Sequence, residues 1–282
     1  MPDCVVIDMR ITTALLVFAG LILLGCQQPA TRSENHTESH EGHDAGEQHG
    51  DHAAHKPSWT LEVASGESSG QRTPLKLSFK DESGQPQSDF EVKHEKPLHL
   101  IAVSENLGWY QHVHPTSNSD KAWEVDLVDA PSGKIVLFAD FKPANSGDQV
   151  LRTEISLSRP SSIDAPRWED RKTVATVGGV KATLGLEGGT FSLAKPQPLE
   201  FQISSDERKP IKLEPYLGAY GHLVIIDQKG QEYVHSHPAS GSPDGKVTFE
   251  AHFPKAGLYR AWAEFQVDGK VHTFPFVIEA TP

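Results

Sequence analysis

Six histidines stand in two identical rhythms. His99 precedes His112 by 13 positions and His114 by 15, and His222 precedes His235 by 13 and His237 by 15. A proline follows each close pair, in "HVHP" (from His112) and "HSHP" (from His235). Three neutral imidazoles brought together make a ligand set for Zn(II), Cu(II) or Ni(II). They can instead hydrogen-bond one another, Tyr233 or Glu264 and close the end of a hydrophobic core. A lone histidine would favour that second chemistry, whereas a triad repeated at one spacing favours metal.

The rhythm belongs to a longer repeat. "HLIAVS" matches "HLVIID", Tyr110 matches Tyr233, and "VLFADF" from Val136 matches "RAWAEF" from Arg260, which pairs Asp140 with Glu264. "PLKLSF" from Pro74 corresponds to "PLEFQI" from Pro198, and a stretch with Pro and Ser around residues 158–172 separates the copies. Two domains are therefore expected, over residues 58–160 and 172–282. In "LEFQI", "VTFEAHF" and "LYRAWAEFQV" apolar residues alternate with others, and turns such as "SPDG" and "VDGK" break the pattern. Period two of this kind marks half-buried strands. The fold class expected is all-β: two tandem β-sandwiches, immunoglobulin-like or cupredoxin-like.

Strands give the histidine spacing a geometry. "GHLVIIDQKGQEYVHSHP" reads as strand, turn and strand, with the turn near Asp227 to Gly230. With Gln228 and Lys229 at its centre, His222 lies opposite His235 and diagonal to His237; a shift of one residue sets it opposite His237. Either way His235 and His237 share a face. The first copy, with its turn near Ser104 to Leu107, follows the same arithmetic. His222 has the parity of Val224 and Ile226, so it is also placed to point into its own sandwich. His272, in "KVHTFPFVI", aligns with Leu151 in "QVLRTEISL", or with Arg152 after a slip of one. It is a candidate fourth ligand of the second site, or a histidine at the edge of the core. Arg152 facing the first site would oppose a cation there.

The chain opens with an export pattern. From Met9, the expected start of translation, Arg10 precedes an apolar run, Ile11 to Leu24, which is short for a membrane span and suited to a signal peptide. Leu23-Leu24-Gly25-Cys26 resembles the bacterial lipobox, which implies that residues 1–26 form a lipoprotein signal region cleaved before Cys26, with Cys26 lipidated as the mature N-terminus. Gln27 after it implies the outer membrane. Residues 27–57 have almost no large apolar side chains and are expected to form a disordered tether. The tether carries His36, His40, His43, His49, His52 and His55 among acidic residues, a set suited to capturing metal without fixed geometry. The chain's two cysteines, Cys4 and Cys26, and its two methionines, Met1 and Met9, all fall in this leader region. The expected mature body thus offers no disulfide, no blue-copper thiolate and no soft cuprous site.

"LGAYGHLV", "HSHP" and "FPKAGLYRAWAEFQVDGKVHTFPFVI" resemble a recurrent module of secreted bacterial proteins, similar to YtkA-like and copper-resistance-type β-sandwiches. That resemblance implies a β-sandwich linked with heavy-metal handling, through Leu217, Gly218, His222, His235, His237, Gly257, Tyr259, Phe265 and His272. The first copy departs from it, with "KPLH" for "AYGH". No nucleophile elbow, Walker loop, dinucleotide fingerprint or HExxH helix is present, so no enzyme is expected. With 26 basic and 38 acidic residues the net charge of -12 opposes nucleic acid and favours cations. The expectation is an outer-membrane lipoprotein facing the periplasm. It would bind Cu(II), Zn(II) or Ni(II) and serve a metal-efflux or envelope protein partner. The alternative is a metal-free envelope interaction module with structural histidine clusters.

Overall fold

The structure, a computed structural model, describes residues 59–159, 161–205 and 211–282. The expected signal peptide, Cys26, and the tether with its six histidines lie outside the described residues.

The first domain is built from β1 (Thr60–Ser65), β2 (Arg72–Lys80), β3 (Pro86–Gln87), β4 (Leu98–Ser104), β5 (Tyr110–Val113), β6 (Thr116–Ser117), β7 (Trp123–Val128), β8 (Gly133–Phe141) and β9 (Gln149–Leu157). The second contains β10 (Val174–Val177), β11 (Val180–Leu184), β12 (Thr190–Ser192), β13 (Leu199–Ser205), β14 (Leu213–Glu214) and β15 (His222–Asp227). It continues with β16 (Tyr233–Ser236), β17 (Pro238–Gly241), β18 (Lys246–Phe249), β19 (Gly257–Val267) and β20 (Lys270–Thr281). One sheet of domain 1 runs β1-β2-β7-β6 and the other β5-β4-β8-β9; in domain 2 the orders are β10-β11-β13-β18-β17 and β12-β20-β19-β15-β16. Apart from the parallel β12–β20 pair the strands pair antiparallel, and their division between two sheets follows the immunoglobulin plan. The protein is all-β, and the two domains are copies of one sandwich.

Each sandwich has its own core. Leu75, Leu77, Phe79, Trp123 and Phe141 fill the first, and Phe201, Phe249, Phe265 and Phe276 the second. Strand β2 alternates buried and exposed positions, as a strand with one wet face must. Strands β4 and β15 do not: every residue of both is buried. An antiparallel strand buried on both faces needs a second layer outside its sandwich, and each domain supplies that layer to the other. Ile101, Val103, Leu107, Val136 and Phe138 of domain 1 form one apolar cluster with Val224, Ile226 and Trp262 of domain 2. Both sandwiches belong to a single compact unit, Ala53–Pro282. Val224 and Ile226 thus face the other domain rather than their own core, and so does the parity they share with His222.

The contact repeats itself under exchange of the domains. Tyr110 of domain 1 stacks on Trp262 of domain 2 with ring centroids 4.7 Å apart, and Tyr233 of domain 2 stacks on Phe138 of domain 1 at 4.7 Å. Because the repeat pairs Tyr110 with Tyr233 and Phe138 with Trp262, the interface is isologous: the same patch on both partners, here within one chain.

Of the two hairpin registers that the sequence allows, the structure takes the one shifted by one residue. Val224 pairs with His235 and Ile101 with His112, which sets His222 opposite His237 and His99 opposite His114. Each loop holds an additional left-handed residue, Leu107 (φ 57°) in the first copy and Gly230 (φ 65°) in the second. Side chains tie the loops: the Ser104 hydroxyl accepts from the backbone N–H groups of Gly108 and Trp109, and an Asp227 carboxylate oxygen accepts from those of Gln231 and Glu232. Arg152 does not face the first triad; its Nε donates to the Gly230 carbonyl at 2.7 Å.

Because each sandwich lacks a complete covering layer without the other, the two are expected to unfold in a single transition. Trp262→Ala should destabilise that transition by about 3–5 kcal/mol. Urea denaturation followed by fluorescence and circular dichroism checks this; two separated transitions in the parent protein would contradict it.

Candidate metal centre

The face that carries the interdomain cluster also carries the histidines. Along β4 and β15, His99 and His222 continue the inward stripes of Ile101 and Val224. Along β8 and β19, Asp140 continues Val136 and Phe138, and Glu264 continues Trp262. Register pairs His99 with Asp140 and His222 with Glu264 on neighbouring strands. Beyond the apolar patch, the two polar ends meet across the interface and all six repeated histidines form one cluster. His99 lies 5.4 Å from His235 and His112 lies 5.3 Å from His235 between ring centroids, as near as members of one triad lie to each other.

Within each triad the ligand atoms lie within 4.8 Å of one another. An ion with bonds of about 2 Å spaces its donors roughly 3–4 Å apart, so closure asks only for a small inward turn of the rings. Their orientation is already set. His222 Nε2 lies 2.8 Å from the Tyr216 carbonyl and His99 Nε2 lies 3.0 Å from the Lys93 carbonyl. A carbonyl only accepts, so both rings carry their proton on Nε2 and turn the Nδ1 lone pair into the cluster. The middle histidines are fixed by carboxylates across the interface: His235 Nδ1 to Asp140 at 3.1 Å and His112 Nδ1 to Glu264 at 2.8 Å. Each then directs its Nε2 lone pair inward.

The resulting donor count is unbalanced. His222 Nδ1, His235 Nε2 and His237 Nε2 are buried with no hydrogen-bond partner among the described residues, and His114 Nε2 is likewise unpartnered. In the first triad His99 Nδ1 and His112 Nε2 approach to 3.1 Å. With a carbonyl and an ionised carboxylate holding the other two ring protons, that contact joins two lone pairs. Buried polar atoms without partners are costly, and a shared cation would satisfy them together. Acceptors behind ligating imidazoles are the usual means of orienting metal ligands.

Charge in the cluster follows burial. Desolvation lowers His99 to about 4, His222 to about 3 and His114 to about 2, and it holds His112 and His237 far below the ordinary value. These rings remain neutral, the ligand-competent form. Burial acts to raise Asp140, but the hydrogen bond from His235, with the charge of Lys93, outweighs it and the carboxyl is held low. Burial dominates at Glu264 and raises it to about 7, against the neighbouring His222 and His235.

His272 is not part of this centre. It pairs with Phe265, so it lies on the sheet face opposite Glu264, and its Nδ1 contacts the Val177 carbonyl at 3.1 Å. Its counterpart is Gln149, paired with Phe141, rather than Leu151 or Arg152. A seventh histidine does reach the cluster. His94, in a left-handed turn (φ 48°), stacks on His237 of the other domain at 3.4 Å. Its counterpart in the second copy is Leu217, also left-handed (φ 53°), so the repeat gave no signal for it. The crossed contacts of Asp140 and Glu264 were also not predictable, although the alignment had paired the two residues.

Comparison with known proteins accords with the duplication. A family model described as a domain of unknown function (DUF8832) matches residues 53–156 and again 175–282. The chain belongs to that family. No curated protein matches it. Solved structures similar to it include invasin, a bacterial integrin-binding protein, at 11% identity and TM-score 0.25, covering 79% of this chain and 39% of that one. Another is a putative membrane-anchored protein from Corynebacterium diphtheriae, at 11% identity and TM-score 0.22, with 79% and 59% covered. The chain thus spans less than two thirds of either protein.

The depressed histidines set the pH response of the metal-free protein. Each binds a proton more readily when unfolded, near pH 6.5, than when folded. Their contribution is therefore constant above about pH 7 and lost as pH falls below 6.5, by up to about 1.4 kcal/mol per pH unit for each ring. Glu264, raised when folded, acts in the opposite sense between about 4.5 and 7, but it is one group against six, since burial lowers His94 as well. Urea midpoints at pH 8, 6.5, 5.5 and 4.5 should fall steeply below 6.5. A flat profile would contradict these environments.

Proposed function

We propose that the protein binds divalent transition-metal ions at the interdomain histidine cluster. The observation that carries this reading is the second triad: three imidazoles bring ligand atoms within 4.8 Å of one another, each has a buried nitrogen without a hydrogen-bond partner among the described residues, and two are held in orientation by acceptors behind them. Neutral imidazoles select Zn(II), Cu(II) or Ni(II) over hard cations, and the described residues contain no thiolate to favour Cu(I). The two carboxylates behind the rings offset part of the charge an ion brings. The export pattern and lipobox support placement at the cell envelope as an anchored lipoprotein. The histidine-rich segment 36–55 supports a capture step ahead of the folded site. Delivery to an efflux or resistance system, or protection of the envelope from excess metal, is the role this combination serves. Among the described residues no helix is long and apolar enough to cross a membrane, and anchoring is assigned to Cys26.

One observation favours the metal-free reading. With Glu264 protonated, its O–H donates to His112 Nδ1 and His112 Nε2–H donates to His99 Nδ1, which satisfies part of the first triad as structure alone. The same rearrangement does nothing for His222, His235 and His237, whose carboxylate partner Asp140 is held in its ionised form.

Thermal unfolding separates the readings. In the test protein, the full chain, His36, His40, His43, His49, His52 and His55 are replaced by glutamine, so that segment contributes no binding. A ligand held only by the native state stabilises by about 2.7 kcal/mol at a free concentration 100-fold above Kd. For a body of this size that raises Tm by roughly 5–10 °C. At least one of Zn(II), Cu(II) and Ni(II) should do so at pH 7.5; the shift should shrink in His235→Ala/His237→Ala, vanish when His112 and His114 are replaced as well, and survive His272→Asn. No shift with any of the three ions would overturn the proposal.

A further inference from the structure

We infer that the centre is two metal sites built crosswise, each taking its three imidazoles from one sandwich and its orienting carboxylate from the other. The inference rests on the metal-binding reading above. The Asp140 carboxylate stands beside His99 of its own domain by register, yet its hydrogen bond goes to His235 of the second. Glu264 stands beside His222 of its own domain and bonds His112 of the first. The His112–Glu264 contact is enclosed, with side chains 1% and 6% exposed, and the His235–Asp140 contact is nearly so, at 2% and 18%. The pairs exchange when the domains exchange, as the Tyr110–Trp262 and Tyr233–Phe138 stacks do. They are thus part of the isologous interface rather than an isolated contact.

The chemical consequence lies in the proton on Nδ1. An imidazole that ligates through Nε2 keeps its Nδ1 proton, and an acceptor at that atom fixes the ring and raises its basicity. His112 and His235 receive this from the opposite sandwich, so neither domain orients its own ligands fully alone. Loading either site strengthens the contact that joins the domains, and loosening the interface weakens both sites. Asp140 and Glu264 are positioning residues, which reach the ion only through the imidazoles they hold.

Crossed variants test this. In the tether-substituted full chain, His237→Ala disables the second triad and leaves the first, whereas His114→Ala does the reverse. Competition titration with Zn(II) then reads the remaining site. Glu264→Gln should weaken binding about 10–100-fold in the His237→Ala background and at least ten-fold less in the His114→Ala background. Asp140→Asn should show the mirror pattern. Glu264→Asp, which keeps the carboxylate that the repeat itself uses at Asp140, should recover most of the affinity lost in Glu264→Gln. The spread of unfolding midpoints among the metal-free variants identifies any that fail to fold, and the Asp140→Asn pair and the Glu264→Asp comparison still decide if Glu264→Gln is one of them. Losses equal in the two backgrounds, or greater at the site in the same domain as the substituted carboxylate, would overturn the crosswise assignment while leaving metal binding intact. An absence of binding in the tether-substituted parent would instead overturn the metal reading.

Discussion

Mutual covering of two sheet faces is the constraint on which the rest depends. Strands β4 and β15 are apolar on both sides, so neither sandwich can leave its β4-β8 or β15-β19 face in water without exposing Val103, Phe138, Val224, Ile226 or Trp262. Burying a side chain of that size contributes about 1.5–3 kcal/mol relative to exposure, and the stacked aromatic pairs add to it. A duplicated chain can meet the requirement most simply by pairing the two copies of the same face. Pairing copies of one face about an approximate two-fold brings equivalent residues into crossed contacts, and the polar end of the face is carried into the interface with the apolar end.

Enclosure at that polar end gives the histidines their chemistry. Exposed, His99 or His222 would titrate near neutrality and hydrogen-bond to water. Enclosed between two sheets, the rings are held neutral by desolvation. Their proton-bearing nitrogens are engaged by Tyr216, Lys93, Asp140 and Glu264, and their lone pairs have one direction left to face. Placing nitrogens this way without water or a partner is unfavourable for the empty protein, and an ion reverses the balance. The destabilising feature of the metal-free fold and the affinity for metal are therefore the same arrangement of atoms.

Much of this was legible in the sequence. The interval from His99 to His112 and His114, repeated from His222, fixed the membership of both triads, and the period-two alternation of "LEFQI" and "VTFEAHF" fixed the sandwich class. The joining of the triads was less visible. Strand parity places His222 with Val224 and Ile226 but does not say which sheet face looks into its own sandwich. The unbroken apolar runs in "LHLIAVS" and "HLVIID" were the available sign that both faces are covered. Of the two registers the sequence left open, the structure takes the one shifted by one residue, because each loop holds an additional left-handed residue: Gly230, whose type announces it, and Leu107, whose type does not and which is held by burial in the interdomain cluster. His272 was misaligned because the two copies differ in the turn before their last strand. Residues 142–148 separate β8 from β9, whereas only Asp268 and Gly269 separate β19 from β20. Matching the starts of the last strands, Lys270 with Gln149, slips by two residues because β19 and β20 stay paired two residues beyond Phe265, whereas the β8–β9 pairing ends at Phe141 and Gln149. The asymmetry sought at His272 is found at His94.

The central claim is that the enclosed nitrogens of both triads ligate metal directly. X-ray absorption at the edge of the bound metal, on the full chain with the six histidines of residues 36–55 replaced, tests it most directly when combined with elemental analysis. Direct ligation by both triads gives about two ions per chain, in a first shell dominated by nitrogen at about 2.0–2.1 Å and showing the multiple scattering of imidazole rings. A shell dominated by oxygen, or an ion count that remains unchanged in a variant lacking His112, His114, His235 and His237, would contradict it.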